Sequence, residues 1–125
     1  MKWGMTKRQR EGLQRGDIVV LGAPDEPQVK LVKRVVGVGG DLVRTARPNG
    51  VVRGGKGGNG ELVRVPRGHC WVEGDNRRNS KDSNTFGPVS VSLVSAVVTH
   101  VVWPPSRWSR VERVEPSPER VVTVR

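Results

Sequence analysis

The chain has no tyrosine, one phenylalanine and one cysteine in 125 residues, and no run of about 18 apolar residues such as a membrane-spanning helix requires. A lone Cys70 excludes an internal disulfide, and His69 beside it has no suitably spaced partners to complete a zinc site. The thiol reads as a small buried hydrophobe in a strand, and His100, within VVTHVVW, as a strand residue with its ring satisfied. The start, MKWGMTKRQREG, lacks the apolar core of a secretory signal. Trp3, Trp71, Trp103, Trp108 and Phe86 form no row of rings on which single-stranded bases would stack. Acidic residues are also scarce, 12 against 22 Lys and Arg, for a net charge of +10. That charge attracts anionic surfaces through a screened field and says nothing of fold. A basic nucleic-acid-binding β-barrel is therefore a reading motivated by charge alone.

What the chain has is valine, 25 residues of it, with 16 glycines and 9 prolines. This composition favours strands and turns over helices and predicts one mainly β domain, a β-barrel or antiparallel sheet with long loops. RGDIVVLGAP (15–24) reads as a turn and a short strand ended by Pro24 and Pro27. Strands follow at 29–38, in GGDLVRTA after a glycine turn, and in the two arms of NGVVRGGKGGNGELVRVP. The Gly-rich insertion 53–60 between those arms has no Ser or Thr after its lysine and no helix pattern behind it, so it is not a phosphate cradle. No cofactor motif is present. A strand at 70–73 runs into GDNRRNSKDSNTFGP, a polar loop without apolar periodicity, and long loops of this kind often carry function. SAVVTHVVW forms a long strand closed by Pro104 and Pro105. The organisation expected is a leading segment 1–14, a β domain 15–105 and a basic C-terminal tail 106–125 with no face to bury.

One stretch resists a purely structural account. In KLVKRVVGVGGD (30–41), Lys33 and Arg34 sit in the middle of a valine-rich strand, where neighbouring side chains point to opposite faces. At least one cation must therefore face apolar company. Lysine is almost never fully buried without a partner, so it either extends its amine to water or has a chemical use.

RGDIVVL, KRVVGVGGD and GDNRRNSKDS, in this order, resemble the signature boxes of the type I signal peptidase family, the S26-type serine proteases with a Ser/Lys dyad. The run VPRGHCWVEGDN followed by DSNTFGPVSVSLVSAVVTHVVWPPSRW is similar to the mitochondrial inner membrane protease branch, over residues 12–112. The resemblance implies a signal-peptidase-like β domain, anchored in the mitochondrial inner membrane by an N-terminal helix outside these residues, with the bacterial cytoplasmic membrane as the alternative location. It further implies precursor proteins as substrates, a second protease subunit as partner, and no specific nucleic acid.

By the same resemblance Lys33 is the general base, and Ser80 and Asp82 support it. A serine hydroxyl is a poor nucleophile until a base takes its proton, and an amine can do so once desolvation favours its neutral form. Val32, Val35 and Val36 are the apolar neighbours available for this. Two positions depart from the family pattern. Asn84 stands where bacterial relatives have an arginine that pairs with the aspartate, leaving Arg77, Arg78 or Lys81 as substitutes. Gly39 stands where relatives often have proline, which should only loosen the turn. The family's Ser-Met-x-Pro-type nucleophile box has no counterpart in the 125 residues, and Thr6 fits neither its order nor its spacing. The chain by itself is therefore expected to be inactive, either as the remainder of a serine endopeptidase that removes presequences or as a non-catalytic partner subunit.

Overall fold

A computed structural model describes residues 2–6, 12–45, 61–74, 82–103, 109–110, 114–118 and 120–123. Its strands are β1 (Lys2–Thr6), β2 (Ile18–Gly22), β3 (Lys30–Val38), β4 (Asp41–Arg44), β5 (Leu62–Arg64), β6 (His69–Glu73), β7 (Val89–Ser90), β8 (Val94–Trp103), β9 (Ser109–Arg110) and β10 (Val121–Thr123). The helical pieces are one turn of helix, α1 (Ser83–Phe86), and a 3-10 turn at Val91–Leu93. The chain is thus mainly β, with every strand pair antiparallel. A large sheet runs β1-β8-β2-β3-β6-β7, with β9 beside β8, and a small one runs β10-β4-β5. The insertion 53–60 lies outside the described residues.

Two cores follow from this arrangement. The first joins Val19, Leu21, Val35, Cys70, Val72, Val89, Val94 and Val97 on one face of the large sheet, with Phe86 of α1 packed against them. The second joins Val36 and Trp71 on the opposite face to Val43 and Val65, with Val63 and Val121 at its rim. Valine suits both, because β-branched side chains pack well on a pleated surface. Full burial of each is worth about 1.5 kcal/mol or more.

A bulge in β3 turns Gly37 to the second core beside Val36 and returns Val38 to the first. Val35 pairs with Val72, but Gly37 pairs with Trp71, so Val36 is an extra residue and the alternation of faces shifts by one. Gly37 lies where the sheets approach, and a Cβ there would clash with Val43 Cγ2. The β3–β4 turn carries the chain from one sheet to the other through Gly39 and Gly40, the latter at φ +95°. A Cβ on Gly39 would meet Pro66 O and Arg67 Cα at 3.2 Å. Glycine at 39 is therefore there for a close approach, where the sequence alone suggested only a looser turn.

The C-terminal segment corrects a second expectation. Val121–Thr123 pair with Asp41–Val43 as the third strand of the small sheet, and Val121 packs on the second core. A basic tail with no face to bury thus contains a three-residue strand with one apolar side inward.

Candidate active site

Lys33 lies on the face of β3 that meets the first core. Its register partner on β2 is Val19, whose own partner on β8 is Val97, and both valines are buried. Leu31 and Val35 flank it on the same face, and Lys33 itself is half-buried. Of the valines the sequence offered as its surroundings, Val32 is 49% exposed and pairs with Val20 on the other face, and Val36 alternates with Val35 onto the second core. The apolar company of Lys33 is Leu31, Val35, Val19 and Val97. Arg34, on the opposite face, donates Nη1 to the Gly16 carbonyl at 2.8 Å.

The polar loop begins beside this lysine. Glu73, last residue of β6, pairs with Arg34, so Gly74 leads the chain past the level of Lys33. The chain returns at Asp82, which is 5% exposed. Asp82 Oδ1 caps α1 by accepting from Asn84 N at 3.0 Å, and Oδ2 accepts from Gly74 N at 3.1 Å. One carboxylate therefore ties the first residue of the loop to its last turn. Ser83 adds a second tie, its buried Oγ accepting from Val72 N at 2.9 Å. Ser80, with Arg77, Arg78 and Lys81, lies outside the described residues.

Asn84 fills the place of the family's arginine in another way. Its Nδ2 donates to Asp82 Oδ1 at 3.3 Å and to Glu73 Oε2 at 2.9 Å, bridging two carboxylates. Glu73 Oε2 also accepts from Trp71 Nε1 at 2.9 Å and pairs with Arg120 Nη2. Glu73 and Arg120 went unnoticed in the sequence. Neither belongs to a motif of the loop, and only the fold of the C-terminal segment joins them.

The first two signature boxes hold each other. Arg15 Nε and Nη2 donate to Asp41 Oδ2 and Oδ1 at 2.7 and 2.6 Å, and Asp41 Oδ2 also accepts from Val38 N at 2.9 Å. Hydrogen bonding to Asp41 pushes the Arg15 guanidinium above its ordinary value. Gly16 N donates to Val35 O and Val35 N to Asp17 O, both at 2.7 Å, so the RGD turn continues the β2–β3 pairing. These contacts fix β3, and with it Lys33, in register.

Burial pushes the Cys70 thiol up to about 12, far from the range in which a thiolate acts as a nucleophile. His69 Nδ1 lies 3.0 Å from the Arg67 carbonyl. Among the described residues no group of three His, Cys, Asp or Glu is placed to hold a metal ion, and no helix is long and apolar enough to cross a membrane.

Lys33, on a core face of β3, thus stands at the level where the chain leaves β6 at Gly74 and returns at Asp82. Comparison with known proteins gives the chain a family. Residues 3–57 and 49–103 match the family described as signal peptidase, peptidase S26, and the chain belongs to that family. Mitochondrial inner membrane protease subunit 2 from mouse is 52% identical over 108 residues, 86% of this chain and 55% of that protein. Subunit 2 from Saccharomyces cerevisiae is 42% identical over 85% of this chain and 55% of its own. Subunit 1 from mouse is 38% identical over 74% of the chain. The chain spans about half the length of these curated relatives. The crystal structure of a signal peptidase I from Enterococcus faecalis V583 shares the fold, with a TM-score of 0.52 and 21% identity over 75% of this chain and 100% of that one.

Proposed function

We propose that the chain is the β domain of a serine endopeptidase of the mitochondrial inner membrane protease type, which removes presequences or sorting signals from proteins delivered to the intermembrane space. The observation that carries this is Lys33 in the row of Val97 and Val19, at the level where the Asp82-closed loop leaves β6. Lys33 serves as general base: its amine takes the proton of a serine hydroxyl as that oxygen attacks the scissile carbonyl, and returns it to the leaving amine. Ser80 and Asp82 support the lysine, Ser80 through its hydroxyl and Asp82 by holding the loop in place. The nucleophilic serine comes from outside the 125 residues, as does the membrane anchor. A second subunit completes the assembly on the inner membrane, facing the intermembrane space.

The test is cleavage of a precursor by the full-length product in its membrane complex. Lys33→Ala should lower the rate about a thousandfold while the domain stays folded. Retention of full activity by that variant would remove the base assignment. A second reading, a non-catalytic partner subunit, draws on the similarity of the chain to both subunit 1 and subunit 2 of one protease. It predicts co-purification with a protease subunit and no cleavage by this chain in any full-length form.

A further inference from the structure

Arg120 lies outside everything the sequence tied to the reaction, yet its guanidinium reaches two parts of the scaffold. Its Nε donates to the Arg44 carbonyl at 2.9 Å, Arg44 N donates back to the Arg120 carbonyl at 2.7 Å, and Nη2 pairs with Glu73. The side chains of the pair are 14% and 8% exposed. From Glu73 Oε2 the contacts continue through Asn84 Nδ2 to Asp82 Oδ1, and from Asp82 Oδ2 to Gly74 N. An unbroken polar chain thus joins the C-terminal segment to both ends of the 75–81 loop.

The charges give this chain its logic. Glu73 and Asp82 place two carboxylates on one amide nitrogen, and at a site largely out of water their repulsion is strong. A guanidinium on Glu73 offsets it and holds Oε2 where Asn84 reaches both anions. Beside the pair is a cavity of about 220 Å³ lined in part by Arg34, Val36, Glu73, Glu115, Pro116 and Arg120. Shortening Arg120 would let water in from that cavity to compete for Glu73.

We propose that Arg120 is a positioning residue for Asp82: through Glu73 and Asn84 it holds the Asp82 carboxylate on the Gly74 amide. The catalytic consequence rests on the protease reading above; the mechanical one does not.

Amide exchange in the full chain tests the mechanical part. Arg120→Gln should speed exchange at Gly74 and Asn84 at least tenfold, and Val121→Ala, which loosens β10 without touching Glu73, should change it less than twofold. Combining Glu73→Gln with Arg120→Gln removes both charges and should recover most of the protection. Unchanged exchange in Arg120→Gln, or equal acceleration in both single variants, overturns the proposal. In the full-length membrane complex Arg120→Gln should lower kcat about tenfold with KM within twofold, and an unchanged kcat overturns the catalytic part. Should exchange respond as expected while the unaltered complex cleaves no precursor, the relay stands and the protease reading falls.

Discussion

Lys33 and Arg34 are adjacent cations on one strand, and the fold treats them differently. Arg34 reaches a carbonyl of the preceding turn, Gly16 O, and secures the β2–β3 junction from the outer face. Lys33 is directed to the core face, in a row with two buried valines and next to the departure of the polar loop. The difference separates two placements that a basic side chain takes in the middle of one valine strand. A guanidinium suits the first, since several donors on a long stem satisfy backbone acceptors at a rim while remaining charged. The second placement is the one proposed above for a general base.

Exchange of these two roles by mutation gives the sharpest contrast. Lys33→Ala should remove about 4 kcal/mol of transition-state stabilisation, the equivalent of a thousandfold in rate, with little change in melting temperature. Arg34→Gln should do the reverse, as its effect is confined to the junction.

The core that receives Lys33 has a second probe in Cys70. Burial raises its thiol from an ordinary value of about 9.0 to about 12 in the folded state. The unfolded chain therefore releases this proton first, so the stabilisation is fully present below pH 9 and is lost as the pH rises towards 12. Denaturant titrations should show a loss of about 3 kcal/mol between pH 8 and pH 11 that is absent in Cys70→Ala. A thiol reagent at pH 8 should label the native protein far more slowly than the unfolded chain.

The bulge that separates the two faces can be attacked directly. Gly37→Ala drives a methyl against Val43 and should cost about 2 kcal/mol by chemical denaturation. Adding Val43→Ala should relieve part of that loss, showing that the contact between sheets is responsible. The smallest effect belongs to Arg34→Gln, about 1 kcal/mol for one hydrogen bond to a carbonyl, with cleavage unchanged.

Much of the scaffold was legible from composition and punctuation. The valine runs gave β2, β3, β4, β6 and β8 nearly to the residue, because glycine and proline bound them and a period of two marks their faces. β1, β7, β9, β10 and α1 escaped notice, being two to five residues long and without a marked apolar period. The one-turn helix depends on Asp82 as its cap and on Ser83 bonding to Val72, neither of which appears as a pattern. Within the site, Lys33, Ser80 and Asp82 came from resemblance to a family. Asn84 was recognised as a departure, but its bridge to Glu73 depended on where β6 ends.

The order of the residues alone determined the valine-rich β character of the chain and the membership of Lys33 in a strand, because these depend on residue type and local spacing. Which face Lys33 occupies, where the bulge changes the count, and that Arg120 closes a circuit to Asp82 were decided only by tertiary structure. Register is set by partners up to 101 residues away, as between Lys2 of β1 and Trp103 of β8, and local propensity carries no information about such partners.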